Sequence, residues 1–575
     1  EYVTRFGGTI PMPPRWVLGP WWSRYWAYRD RDLQALVEEF RSRGFPLDVL
    51  VIDMDWHTPD AWTGYTWNRD LFPDPAGFLA WVHRQHLHAT LNLHPALGVA
   101  PFESVYPEMA RAMGLDPADG EPIPFRITDP RFAQAYFEVL HHPLEDEGVD
   151  FWWMDWQQGR TSEVPGLDPL AWLNHLHHRD LLRRPDRRPL VLSRWGGLGS
   201  HRYPVGFSGD AVATWPALRF QPRYTAAGAN VGYGWWSHDI GGHFGADTPE
   251  LYVRWVQFGA FSPVLRLHSS NDPGYDRRPW AFGPEVEAIA KDAFRARAEL
   301  VPYLYTCARQ AADSGVAMVR PVSWAAPEHD SAYLARDQYL LGDDLLVAPV
   351  LEPADPSLGV AVKDVWLPPG EWIERTTGET VVGPRWITRP VDLRSVPQFV
   401  RAGTILPLAE PAASTAQQPL DHLILAVFCG AAGTTRVYHD DGTTRAYLHG
   451  ASEWTAARVE TPDPSRCRVE VEPASSVRRL TLRLEHTNRP REVLVGEVPV
   501  SGWTYDEKTG RTTIEVGQAG GPVAVEVRAE QTLSRRGKAL DDRLRAADLE
   551  RLGASRDPEL PAAVARAGGP VIHIV

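Results

Sequence analysis

Between residues 16 and 270, short apolar runs alternate with longer stretches whose apolar positions recur at helical spacing. Eight runs, at 16–23, 47–56, 88–95, 149–156, 189–194, 205–210, 231–242 and 263–270, end in polar or aromatic residues. They are too short and too rich in β-branched and aromatic residues for helices, and their near-continuous apolar character reads as strands buried on both faces. Helical patterns cover 30–44, 74–85, 129–142, 168–184, 248–261 and 284–312, several of them opening on Asp or Thr in a capping position. Eight strands alternating with helices predict an α/β fold, a (β/α)8 TIM barrel. A doubly wound open sheet has a similar rhythm but normally carries a glycine-rich phosphate turn after its first strand, and GPWWSRYW is not one.

Near residue 315 the grammar changes to short alternating runs, at 339–350, 360–367, 400–406, 423–427 and 478–484. These are separated by turn sequences such as PADP, PPGEW and DDGTT. That pattern predicts two C-terminal β-sandwich domains. The expected organisation is a barrel over 1–315, a proximal sandwich over 316–415, a distal sandwich over 416–530 and a tail over 531–575. The tail carries an Arg/Asp/Leu-rich helix at 539–552 and then an Ala/Pro/Gly-rich stretch.

Composition narrows the function. The 575 residues carry a formal charge of −14, which argues against a nucleic-acid partner and favours a neutral substrate. Of 24 tryptophans, 18 precede residue 281, so the aromatic surface belongs to the barrel. Cys307, Cys429 and Cys467 are well separated and show neither a disulfide framework nor zinc-finger spacing. With no signal pattern in the first 30 residues and no apolar run long enough for a membrane span, the chain is expected to be reduced and cytoplasmic, without a membrane partner. It begins Glu-Tyr rather than Met, which leaves open whether an upstream part, and a targeting signal with it, precedes this sequence.

The chemistry gathers at strand ends. In VDFWWMDWQQG an apolar run stops at Asp155, flanked by Trp152, Trp153 and Trp156. Asp155 could simply cap the next helix, but in a barrel the C-terminal strand ends form the catalytic rim. Indole faces beside a carboxylate suit a sugar ring, with its apolar C–H faces and its hydroxyls. Asp53 and Asp55 in VIDMDW and Asp210 in FSGD end further strands. Such a rim can perform metal-assisted hydrolysis or glycoside cleavage. The histidines available to a metal, His141, His142, His175, His177 and His178, fall in helical patterns away from the strand ends and read as surface or satisfied residues, so no metal and no cofactor is expected. Asp239 in WSHDIGG could join a metal site, but its preferred role is to fix the glycine-rich loop through backbone N–H groups. Glycoside cleavage needs two carboxyl groups, one ionised and one able to donate a proton. Asp155 and Asp210, on the fourth and sixth runs, could face each other across the barrel mouth, with Arg194 between them in strand order either binding hydroxyls and holding a carboxylate ionised or forming a structural ion pair.

In this order, PMPPRWVLGPWWSRY, VIDMDW, FWWMDW, LSRWGG, RYPVGFSGDAVATW, WSHDIGG and RLHSS resemble the barrel of glycoside hydrolase family 31, the α-glucosidase and α-xylosidase family. RAGTILPL and VYHDDGTT resemble its C-terminal sandwiches. The resemblance implies Asp155 as nucleophile and Asp210 as acid/base. It implies Asp53, with Met54 beside it, Arg194 and His268 as substrate ligands, and Trp153, Trp156 and Phe207 as the walls of the same subsite. His243 falls where the family commonly has an aromatic ring. The chain departs from the family pattern after the nucleophile, where Trp156, Gln157 and Gln158 replace Met-Asn-Glu, and at Phe207–Ser208, which replaces Trp-Leu. The implied activity is a retaining, exo-acting α-glycosidase on an oligosaccharide or glycoside, with an α-glucoside as first choice. An α-galactoside, an α-xyloside, an N-acetylated or acidic sugar, or transglycosylation stays open. A catalytically silent sugar-binding protein is the alternative of another class.

Overall fold

The computed structural model describes residues 2–58, 61–155, 159, 161–194, 197–419, 421–518 and 520–534. Eight parallel strands follow one another around a barrel: β1 (Pro20–Arg24), β2 (Val49–Ile52), β3 (His88–Leu93), β4 (Phe151–Met154), β5 (Val191–Ser193), β6 (Gly206–Phe207), β7 (Trp236–Ser237) and β8 (Leu265–Leu267). β8 pairs with β1, and the bridges Ser237 to Val264 and Ile240 to Leu267 join the remaining edge. All eight runs read from the sequence therefore contribute one strand each. The strands are shorter than the runs. Val49–Ile52, for example, gives way to a 3-10 turn at Met54–Trp56.

Helix starts follow side-chain chemistry closely. Asp74, Asp129, Asp168 and Thr248 accept hydrogen bonds from the backbone N–H groups of Gly77, Arg131, Ala171 and Leu251, and each is followed by proline, whose missing N–H costs nothing in a first turn. Three differences from the expected helices have local causes. The 284–312 pattern forms two helices, Pro284–Glu299 and Val301–Ser314, because Pro302 interrupts the backbone ladder. The 129–142 pattern widens into a π turn at Tyr136–His141 and continues as a helix through Glu147. Helices at Tyr106–Met113 and Trp215–Gly228 were not expected, the second because Pro216 and Pro222 mask its period.

Most side chains of the barrel strands are buried hydrophobics, but Ser23, Thr90, Asn92, Ser193, Ser237 and Arg266 are also buried, and several of them carry the hydrogen bonds of the site. Among the described residues, three sheets of six, five and six strands lie beyond the barrel, antiparallel except where His422–Val427 pairs in parallel with Arg479–Leu484. Ile405–Leu408 pairs with His422–Val427, whereas Gln398–Arg401, only a few residues earlier, belongs to the preceding six-stranded sheet. The 339–350 run is a hairpin, Tyr339–Leu341 and Leu345–Val347, turning at Gly342. The helix expected at 539–552 lies outside the described residues, as do Trp156, Gln157 and Gln158.

Candidate active site

Strand register decides which side chains meet. Ile52 pairs with Leu91, so the next residues, Asp53 and Asn92, stand side by side where β2 and β3 end. Met154 pairs with Leu93 on one side and Ser193 on the other, which brings Asp155 level with His94 and Arg194. The hydrogen bonds follow from that placement. Arg194 Nε donates to Asp155 Oδ1 at 2.6 Å, and the same guanidinium donates through Nη2 to Asp210 Oδ1 at 2.8 Å. One arginine thus bridges the two carboxylates that the sequence singles out. Asp210 reaches it through Gly209, whose positive φ of 81° suits glycine and where a Cβ would stand 3.4 Å from Arg194 Nη1.

The second oxygen of Asp155 faces two donors that sequence reasoning missed. Asn92 Nδ2 donates to Oδ2 at 3.2 Å and to Asp53 Oδ1 at 2.9 Å, and His94 Nε2 lies 3.2 Å from Oδ2. Their only sequence signal was position: Asn92 and His94 lie two apart at the end of LNLHP, so they project to the same side of the strand end. Burial by itself pushes the Asp155 carboxyl up, but the His94 hydrogen bond and the charges of His94 and Arg194 outweigh it and hold the group well below the usual carboxylate range. At Asp53 the cation in range is Arg266, and its pull is the weakest of the influences. Burial first, and then the negative charge of Asp155, push it up to about 8, against the hydrogen bond from the Met54 N–H at 2.8 Å.

Across the mouth, Arg266 is fully buried and organises what the sequence left unconnected. It donates to Ser237 Oγ at 2.9 Å, Ser23 Oγ at 3.3 Å and Asp239 Oδ1 at 2.5 Å. It also lies over the rings of Trp153 and Phe207 at 5.5 and 5.1 Å. Ser23 Oγ is 2.7 Å from His268 Nδ1, and burial together with the nearby Arg266, His243 and Arg194 charges holds the His268 ring neutral, well below its ordinary range. The His268 ring stands edge-on to Trp153 at 5.5 Å and stacks on His243 at 4.9 Å. Asp239 Oδ2 accepts from the Ala211 N–H at 3.3 Å, and the N–H groups of His243 and Phe244 donate to Ala211 O, so the loop after β7 clamps the loop that carries Asp210. Asp239 is a positioning group here.

The structure brings together Asp53, Trp153, Asp155, Arg194, Phe207, Asp210, Asp239, His243 and His268. Met54 contributes its backbone N–H to Asp53, and Trp156 lies outside the described residues. The Asp210 side chain is 32% exposed and ion-paired with Arg194. Of the helix histidines read as surface or satisfied, His141 and His177 are buried and hydrogen-bonded, His141 Nδ1 lying 2.8 Å from Tyr136 O and His177 Nε2 3.2 Å from the Tyr136 hydroxyl, in an aromatic cluster with Trp152. Asp210, Asp239 and His243 place one ligand atom each within 4.8 Å of one another, a spacing that could hold a metal ion. Both carboxylates already face guanidinium groups, however, Arg194 and Arg266, whose charges oppose a second cation.

Residues 10–307 match the Glycosyl hydrolases family 31 TIM-barrel domain, and residues 315–406 match the Glycosyl hydrolase family 31 C-terminal domain. The chain belongs to glycoside hydrolase family 31. It is 28% identical over 480 residues to an alpha-xylosidase of Saccharolobus solfataricus, covering 77% of this chain and 62% of the relative. It is 26% identical over 529 residues to alpha-glucosidase 2 of Bacillus thermoamyloliquefaciens, covering 85% and 64%. The chain therefore spans less than two thirds of the length of these curated relatives. The fold is shared with a family 31 dextranase of Flavobacterium johnsoniae solved with glucose, at a TM-score of 0.80 and 24% identity, covering 91% of this chain and 72% of that one.

Proposed function

We propose that this family 31 chain is a retaining, exo-acting α-glycosidase that removes a terminal α-linked sugar, with an α-glucoside as first choice. The observation that carries the proposal is the pair Asp155 and Asp210, two carboxylates of unlike environment bridged by Arg194. Asp155 is buried and held ionised, as an attacking group must be. Asp210 is partly open to solvent, from which it can take up the proton it donates. In the first step an Asp155 oxygen forms a bond to the anomeric carbon while the glycosidic C–O bond breaks, and the leaving oxygen takes the Asp210 proton. Water then attacks the anomeric carbon and gives a proton to Asp210, and the electron pair of the ester C–O bond returns to Asp155. Attack by a sugar hydroxyl in place of water gives transglycosylation with the same residues. Asp53, Arg194 and His268 supply a carboxyl group, a guanidinium and a neutral imidazole around one ring, and Trp153 and Phe207 wall it.

The α-xylosidase, α-glucosidase and dextranase relatives set the panel for the test. Nitrophenyl α-glucoside, α-xyloside and α-galactoside, together with natural disaccharides, are offered to the wild type and to Asp155→Ala. At least one should be turned over by the wild type, and the variant should keep less than about a hundredth of that rate. Activity should survive exhaustive chelation. Turnover by Asp155→Ala at more than that fraction overturns the nucleophile role, and loss of activity on chelation, restored by metal, overturns the metal-free chemistry.

A further inference from the structure

The two donors on Asp155 Oδ2 go beyond substrate binding. We propose that His94, supported by Asn92, is a positioning residue that speeds the second half of the reaction by stabilising the carboxylate as it leaves the sugar. The inference rests on Asp155 being the nucleophile. His94 Nε2 stands 3.2 Å from Oδ2, and its side chain is only 3% exposed, so neither water nor a sugar hydroxyl competes for that contact. Three local features hold the residue in place. Strand register sets His94 beside Asp155, its carbonyl accepts from Thr63 Oγ1, and the Trp62 ring meets it edge-on at 5.7 Å. Asn92 Nδ2 reaches the same oxygen at 3.2 Å.

The two chemical steps use these donors in opposite senses. In the first step Asp155 gives up its negative charge to the new C–O bond, so donors on Oδ2 favour the starting carboxylate and do not assist the attack. In the second step water adds to the anomeric carbon, the ester C–O bond breaks, its electron pair returns to Asp155, and the donors stabilise the charge as it reappears. Removing His94 should therefore slow departure more than attack. A residue that merely shaped the pocket would slow both.

The test separates these outcomes. A fluorinated glycosyl fluoride of the preferred sugar is used to trap the covalent adduct in the wild type, in His94→Phe and in His94→Gln. Peptide mass mapping locates the adduct, and its decay measures the second step. With an activated aryl glycoside, His94→Phe is expected to lower kcat by about ten- to a hundredfold, the rate equivalent of losing a hydrogen bond to a charged group. KM should fall with it, leaving kcat/KM within about threefold. His94→Gln, which keeps an N–H donor, should decay faster than His94→Phe and slower than the wild type. If His94→Phe fails to fold, adduct decay in His94→Gln decides alone. Decay equal to the wild type in His94→Gln, or kcat/KM falling as far as kcat in His94→Phe, overturns the role of His94. An adduct mapped away from Asp155 in the wild type overturns the nucleophile reading instead.

Discussion

Asp53 and Asp155 show how two carboxylates of the same type are driven apart by their neighbours. They share one amide, Asn92 Nδ2, yet Asp155 also has Arg194 and His94, while Asp53 has burial and the charge of Asp155. Asp53 is therefore pushed up to about 8 and holds its proton near neutrality, which under the proposed function makes it a donor to a substrate hydroxyl. Its folded pKa lies above the unfolded value of about 3.9, so its favourable contribution is complete below that pH and is lost progressively as pH rises toward 8. Asp53→Asn removes the ionisation and keeps a hydrogen-bonding amide. At pH 7.5 the variant is expected to unfold a few degrees above the wild type while losing activity. The alkaline fall of kcat/KM near pH 8 should disappear with it. A lower unfolding midpoint at pH 7.5, measured by calorimetry, would contradict this account of Asp53.

At the scale of elements, the helix carrying His141 ties burial to pH. Its π turn sets His141 among Tyr136, Trp152 and His177, with His141 Nδ1 2.8 Å from Tyr136 O. Burial lowers His141 to about 3 and His177 well below its usual range. A neutral buried ring stabilises the fold fully above the unfolded pKa of about 6.5, and the benefit is lost as pH falls from there toward 3. The stability advantage of the wild type over His141→Phe should shrink on going from pH 7.5 to 5, by up to about 1.4 kcal/mol per pH unit below 6.5. Urea unfolding at each pH measures it, and a constant difference would contradict it. The same elements show what could be read in advance. The strands were legible because their apolar runs are short and each ends in a polar or aromatic residue, and capped helices were legible from Asp or Thr before proline. Trp215–Gly228 was hidden by internal prolines. Asp155 and Asp210 stood out as acids closing apolar runs. Asn92, His94 and Arg266 did not, because their importance lies in cross-strand register and in contacts between residues as far apart as Ser23 and Arg266.

Across the whole molecule, the C-terminal sheets are tied to the barrel through buried cations. Arg188, just before β5, donates to Asp440 Oδ2 at 2.6 Å with both side chains 1% exposed, and Tyr305 joins them, so VYHDDGTT acts as an anchor on the barrel. Arg254 donates to the carbonyls of Asp392 and Ser395 at 3.0 Å each. Because Arg188 precedes β5, its anchor lies at the end of the barrel opposite the strand ends that carry Asp155 and Arg194. The proposal for those strand ends is double displacement at Asp155, which requires carboxyl groups about 5–5.5 Å apart, against roughly 6.5–9.5 Å for an inverting enzyme that admits water between base and sugar. Double displacement preserves anomeric configuration whichever α-linked sugar is bound. Proton NMR of a turnover mixture in its first minutes, before mutarotation mixes the signals, tests this most directly. The α-anomer is expected to appear first; a β-anomer appearing first would contradict the retaining mechanism and the role of Asp155 with it.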